Sequence, residues 1–406
     1  MTATDAPAPP AAGRPPGRAA WLSVTAAFVV TMTGTTVPTP LYPLYEQAFG
    51  FSSLMVTVVF AVYALGVVAG LLLFGRLSDQ IGRRPVIVVA LLLSALAAVL
   101  FLAADGLAWL LVGRVLSGLA AALITGSATA ALLDLASGPR QRARAQTVAI
   151  AANMGGLACG TLLSGILAEW AGSPLRLPWI VALALAVAAL AGTVAIPAGG
   201  AGRSGFRLRP QPLRIPAGIR SDFLRAALAA GSGFAVLGVL TAVTGLFLAT
   251  VLHLSNHALT GLVVFVAFAC TALGQLIARA LPRPVALPFA CGGLVLAAAL
   301  IAAALLAATQ PPLLAGSAVD GLATGVAVAD GLRTINAGTP PQHRGEAVST
   351  FFAILYAMLS VPVIGVGVLI QVMGLRPAGV TFGGLVAALA LAVAVSLQRG
   401  GASPER

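Results

Sequence analysis

The chain has 406 residues, 59% of them apolar and 8% charged, and a mean hydropathy of +1.01; an ordinary soluble domain is about 25% charged. Too little polar surface exists to cover such a chain in water, which excludes a soluble enzyme, a disordered chain and a secreted disulfide scaffold. The net charge of +12 rests on 23 basic residues, all arginine. They lie in short clusters between apolar runs, a pattern of membrane orientation rather than of nucleic-acid binding.

In chain order, residues 1–18 are rich in Pro and Ala and are expected to form a disordered cytoplasmic tail. Twelve apolar runs of helix-spanning length follow, at 19–41, 53–74, 85–104, 109–135, 145–168, 178–196, 224–252, 258–278, 285–308, 313–335, 347–371 and 377–397. They are longer than barrel strands and do not alternate, so the fold is an all-α membrane protein. Pro38, Pro40 and Pro362 predict kinks. With the N-terminus inside, 20 arginines fall in inner segments, Arg176 and Arg376 fall outside, and Arg114 lies within the membrane. That asymmetry predicts a multi-pass plasma-membrane protein with both termini cytoplasmic. The three cysteines, Cys159, Cys270 and Cys291, sit inside apolar runs and predict no disulfide framework.

The stretch 197–223 carries five arginines with several Pro and Gly, and reads as a cytoplasmic linker. It separates a bundle at 19–196 from a second at 224–397, with a short tail at 398–406. The halves repeat one another. Gly75-Arg-Leu77 with Arg84-Pro85 recurs as Gly274-Gln-Leu276 with Arg283-Pro284. Gly113 with Gly118-Leu119-Ala120 recurs as Gly316 with Gly321-Leu322-Ala323, and Pro139-x-x-Arg142 as Pro341-x-x-Arg344. Three matches in one order point to duplication into two pseudo-symmetric six-helix bundles.

Between runs 2 and 3 stands Gly75-Arg-Leu-Ser-Asp79-Gln-Ile-Gly82-Arg83-Arg84. Gly75 lets another helix approach, and Gly82 permits a tight turn. Asp79 needs a cation or a helix N-terminus. Arg83 can fork between two carboxylates, with Asp134 at the inner end of run 4 the candidate second. Solvated charges serving topology alone are the other reading. Within run 4, Arg114-Val-Leu-Ser-Gly118 sets a cation in the membrane at a cost of about 2.5–3.5 kcal/mol on insertion scales. It either faces a cavity or snorkels outward past Trp109. Run 5 carries Gly156-x-x-x-Gly160-Thr161-x-x-Ser164-Gly165, a face of small residues for helix packing.

Run 10 holds two acids. Asp320 lies roughly 10 Å into the membrane and is either hydrogen-bonded by Ser317 or Thr324, or a titrating site. Asp330 stands three residues from Arg333, close enough for a local ion pair. His253 and His257 have i,i+4 spacing without acids or cysteines nearby, a poor metal site, so no metal is expected. Tyr63, Asn153, Phe234, Phe247, Phe268, Phe351 and Tyr356 are candidates to line a substrate cavity, with packing the alternative.

The segment from Gly75 to Arg84 resembles the G-x-L-x-D-x-x-G-R-R signature of the major facilitator superfamily, in the expected loop. Arg114 to Gly118 is similar to that family's R-x-x-x-G motif, with Ser117 where glutamine is usual. Run 5 resembles the G-x-x-x-G-P-x-x-G-G signature of antiporters, with Thr161 for the proline and Ser164 for a glycine. The resemblance, most like the twelve-helix drug/proton antiporters, implies a secondary transporter that rocks its halves about a central cavity. It implies that Gly75, Asp79, Gly82, Arg83, Arg84 and Asp134 latch the halves on the inner side. Asp320 and Arg114 are then the expected proton-coupling pair. The implied function is efflux of small amphiphilic molecules. The proton gradient is the energy source, and no cofactor and no nucleic acid are expected. A monomer in the bilayer is expected. Proton-coupled uptake of a metabolite or sugar is the alternative, and a receptor or membrane enzyme a remote one.

Overall fold

A computed structural model describes residues 17–197, 211–215 and 217–401. Residues 1–16 of the expected tail, 198–210 and 216 of the expected linker, and 402–406 lie outside the described residues. Every regular element among the described residues is helical. Among the described residues, twelve helices are long and apolar enough to cross a membrane. We number them α1 (Arg18–Phe49), α2 (Ser53–Phe74), α3 (Arg83–Leu102), α4 (Leu107–Asp134), α5 (Pro139–Trp170) and α6 (Leu177–Ala195). The second set is α7 (Ala217–Thr250), α8 (His257–Ile277), α9 (Arg283–Ala307), α10 (Pro311–Gly338), α11 (Arg344–Met373) and α12 (Leu375–Arg399).

Among the described residues, the antiparallel alternation brings the arginine clusters to one end of the bundle, and Arg176 and Arg376 to the other. Leu22, Leu65, Val187, Val372 and Leu385 are among many large apolar side chains left exposed. Such an apolar girdle fits a hydrocarbon solvent and not water.

Helix ends differ from the sequence reading in several places; α7, for one, begins at Ala217, inside the stretch expected as linker. Helix α5 begins at Pro139, so Arg140, Arg142 and Arg144 stand on its first turns rather than in a loop. Gly138, at φ +87, makes the sharp entry, and proline at the first helical position loses no hydrogen bond there. Helix α1 runs past its expected end. Its first segment stops at Thr36, a 3-10 turn spans Thr39–Leu41, and a second segment Tyr42–Phe49 follows. Pro38 and Pro40 bring no N–H, so carbonyls at the break lose their helical partners. Other helices make good the loss: Ser164 Oγ donates to the Val37 carbonyl at 2.6 Å, and Arg114 Nη1 to that of Thr35 at 2.7 Å.

The repeat in sequence is a repeat in packing. Helix α4 packs against α1, α2 and α3 as α10 packs against α7, α8 and α9. Likewise α1 lies on α5 as α7 lies on α11, and α3 on α6 as α9 on α12. The halves meet chiefly through α5 against α8 and α2 against α11. The matched glycines explain the close approach. A Cβ on Gly118 would strike the Tyr63 carbonyl on α2, and one on Gly321 the Ala267 carbonyl on α8.

Candidate functional site

At the arginine-rich end, Gly82 turns the chain at φ +96 and presents Arg83 at the head of α3. Arg83 Nε lies 3.1 Å from Asp134 Oδ2, Nη1 donates to Ser78 Oγ at 2.8 Å, and the same nitrogen pairs with Asp79. The structure thus brings Asp79, Arg83 and Asp134 together. All three stand in the N-terminal half, so this cluster braces the turn between α2 and α3 against α4. Arg84 is half-buried and makes no ion pair among the described residues.

The contacts that cross between halves are elsewhere. Arg76 Nη2, at a variable position of the same motif, lies 3.1 Å from Glu346 Oε1 at the start of α11. His343 Nδ1 lies 3.3 Å from the other oxygen of that carboxylate. Residue 211 threads between the halves: the Gln211 N–H donates to the Leu72 carbonyl at 2.8 Å, and Ser349 Oγ donates to Gln211 Oε1 at 2.6 Å. Gly75 makes room for it, since a Cβ there would stand 2.6 Å from Gln211 Nε2. Arg279 Nη1 donates to Thr147 Oγ1 at 2.7 Å, tying α8 to α5.

The Arg76 side chain is 46% exposed, so its pair with Glu346 is worth about 0–1 kcal/mol. At the upper end of that range a conformational equilibrium moves roughly fivefold. Arg76→Ala is therefore expected to enlarge the population with widely separated spin labels at positions 140 and 283, exposed sites in opposite halves. Arg83→Ala, acting inside one half, is expected to leave it nearly unchanged. Equal distance distributions for Arg76→Ala and the parent would remove Arg76 from this role.

Two helical turns into α4 from the arginine-poor end, Arg114 is only 2% exposed and points inward, so it does not snorkel. Besides donating to Thr35, its guanidinium lies 4.5 Å from the Tyr63 ring centroid and 5.8 Å from that of Phe60, both faces that attract a cation. Its Nε has no partner. The Tyr63 hydroxyl faces Thr35 on α1 and, across the halves, Tyr356 on α11. Phe234 on α7 sits edge-on to Tyr356, with centroids 6.0 Å apart. Of the expected cavity residues, Tyr63, Phe234 and Tyr356 are thus brought together. Phe351 instead packs edge-on to Phe223 and Phe352 inside the C-terminal half. Phe247 and Phe268 are buried and Asn153 is half-buried, with no ring contact or side-chain hydrogen bond described for the three.

Asp320 is fully buried. Ser317 does not serve it, because that hydroxyl donates to the Leu313 carbonyl at 2.8 Å. Thr324, one turn along, bears on it, yet neither carboxylate oxygen completes a hydrogen bond of normal geometry. No ion pair reaches Asp320 among the described residues, so the structure does not join it to Arg114. Asp330 lies 3.9 Å from Arg333, whose Nη2 also donates to the Ala278 carbonyl at 2.6 Å, a tie between α10 and the end of α8.

The small residues of α5 serve two neighbours. A Cβ on Gly156 would meet Met32 and Val29 of α1, and one on Gly160 would meet Thr33 and Thr36. Gly165 faces His257 and Gly261 of α8. At the arginine-poor end, Glu169 Oε2 accepts from the His257 N–H at 2.7 Å, so a carboxylate of one half caps a helix of the other. The halves are therefore closed upon each other at both ends.

The sequence pattern of the Major Facilitator Superfamily matches residues 24–351. The chain belongs to this superfamily. Its members are transporters, and the family points to a transporter rather than an enzyme. Two curated major facilitator proteins show the similarity in part. Puromycin resistance protein pur8 of Streptomyces alboniger is 31% identical over 52% of this chain and 39% of its own length. Inner membrane transport protein YnfM of Escherichia coli is 30% identical over 37% of this chain and 36% of its own. The match thus spans about two fifths of the length of these relatives. Among solved structures, a bacterial homolog of the human lysosomal transporter Spinster, in an inward-facing unoccupied conformation, superimposes with a TM-score of 0.70 at 17% identity, covering 95% of this chain and 98% of that one. The human organic anion transporter MFSD10 gives 0.65 at 18% identity, covering 94% and 100%. These two establish the shared fold.

Motif residues of the major facilitator pattern were legible in the sequence; the partners across the halves were not. Arg76 and Glu346 are 270 residues apart, and no local spacing links them. Glu346 follows the second copy of the Pro-x-x-Arg repeat, the one signal that could have singled it out.

Proposed function

We propose that this major facilitator exports small amphiphilic organic molecules in exchange for protons, by alternating access between its halves. Asp320 carries the reading. A carboxyl group that is fully buried in a membrane helix, with no cation and no completed hydrogen bond, is costly when charged and comfortable when neutral. Proton binding and close packing of the halves then favour one another, which is what an ion must do to bias a conformational equilibrium. Arg114 supplies a fixed positive charge in the other half, held by Thr35 and Tyr63 rather than paired to Asp320. Arg83 with Asp79 and Asp134 stiffens the latch region, and Arg76 with Glu346 closes it. The names of two relatives support export of toxic compounds: the puromycin resistance protein, and multidrug resistance protein MdtL of Klebsiella pneumoniae, 33% identical over 20% of each chain. The test is accumulation of puromycin in inverted vesicles with and without an imposed proton gradient. Gradient-dependent uptake into such vesicles is expected; gradient-independent equilibration would refute proton coupling.

The same reading sets the arginine-rich end in the cytoplasm. On a background lacking Cys159, Cys270 and Cys291, single cysteines in segments 75–84, 136–144 and 336–346 are expected to be shielded from an impermeant thiol reagent in intact cells. Labelling of any of these segments from outside would reverse the assignment.

A further inference from the structure

Near the arginine-poor end, α1, α2, α7 and α11 enclose a small cavity of about 10 Å³, about the room one water needs. Tyr42, Glu46, Ser53 and Thr57 line it from one half, Leu246 and Ile370 from the other. The break in α1 puts Tyr42 and Glu46 one helical turn apart on the short segment that follows it. Tyr42 is 2% exposed, and its hydroxyl has no hydrogen-bond partner among the described residues. The Glu46 carboxylate accepts one bond, from Ser53 Oγ at 2.7 Å, and keeps further acceptor sites free. No basic side chain lines the cavity.

We propose that this is a binding site for organic monocations, protonated amines with an apolar body, which forms fully when the halves part at this end. It rests on the export reading above and names the substrate class. An ammonium group has what both polar groups lack, a charge for Glu46 and a hydrogen for Tyr42. Leu246 and Ile370, with the Pro43 ring, supply the apolar walls. The walls belong to different halves, so closure shrinks the site to the room of about one water and parting of the halves widens it enough to admit the amine. Pro43 already touches the position of Gly245, where a Cβ would lie 2.9 Å from its ring carbon. Arg114 acts on Tyr42 electrostatically and bonds Thr35, two turns deeper along α1. Its charge holds a bound cation at the Glu46 end, on the way out.

The test uses the purified full chain in lipid nanodiscs, titrated calorimetrically with phenylbutylamine, phenylbutanol and phenylbutyrate, which are matched in shape and differ in charge. The amine is expected to bind tightest, by about tenfold, and Glu46→Gln to bring it to the level of the alcohol. Tyr42→Phe, which keeps the ring and removes only the unpartnered hydroxyl, is expected to weaken the amine by about threefold. Charge-blind binding by the parent chain, or a Glu46→Gln protein that keeps the amine preference, overturns the site. The two readings fail separately. A chain that binds the amine through Glu46 yet accumulates nothing uphill keeps the site and loses the export. Uphill transport with charge-blind binding keeps the export and loses the site.

Discussion

Replacing Asp320 by asparagine is expected to abolish accumulation against a gradient while leaving substrate binding measurable. Asparagine has the shape of the protonated acid and cannot release a proton. The variant is thus held permanently in the condition that favours close packing around α10. Coupling free energies of this kind are typically 1–3 kcal/mol, so the accumulation ratio is expected to fall by roughly tenfold or more. Downhill exchange, which needs no coupling, is expected to persist. The neighbours make the prediction specific. Ser317 is engaged by its own helix, and Gly233 on α7 makes room for the Thr324 side chain. Thr324→Val, which removes the hydroxyl without touching the carboxyl, is expected to shift the pH dependence and retain uphill transport. Accumulation by Asp320→Asn equal to that of the parent across about pH 6 to 8 would sink the assignment. Asp330, beside Arg333, would then be the next group to test.

Gly118→Ala is expected to destabilise the protein severely, whereas Gly126→Ala on the same helix is expected to be neutral to slightly stabilising. Both glycines stand in α4, so the intrinsic helix preference for alanine, about 1 kcal/mol, favours both changes equally. Their surroundings differ. A Cβ on Gly118 would lie against the Tyr63 carbonyl, 2.9 Å from the Val67 nitrogen and 3.0 Å from the Gly66 carbonyl carbon. These are backbone atoms of a packed helix and cannot swing aside. Around Gly126 nothing lies within 4 Å. Overpacking typically costs about 1–3 kcal/mol, and here it would also lever α2 away from α4 and move Tyr63 off Arg114. A lowered unfolding temperature and lost transport are expected for Gly118→Ala, both measured on detergent-purified protein. A Gly118→Ala protein as stable as Gly126→Ala would show that α2 and α4 do not pack through this position. The equivalent change at Gly321, against Ala267 of α8, is expected to behave alike.

What the amino-acid sequence determines by itself is what depends on a run, a count or a short spacing. Run length makes twelve spanning helices, arginine counts separate the two ends, and repeated glycines announce two like halves. Asp79 and Arg83 are neighbours because the chain turns sharply at Gly82 between them, and that turn aims them at the end of α4. What only the tertiary structure decides is which helix faces meet. In water an amphipathic stripe would show the buried face, but lipid tails are as apolar as a protein interior, so these spans carry almost no such stripe. Their rotations are set by where glycines permit contact and where stranded backbone groups find donors. The break at Pro38 and Pro40 was legible; that Arg114 and Ser164 would satisfy the carbonyls it frees was not. The same holds for Arg76 with Glu346, for Gln211 wedged beside Gly75, and for Glu46 and Tyr42 facing Leu246. Each joins residues far apart in the chain, and each exists only because the two halves have docked, an event that no local pattern encodes.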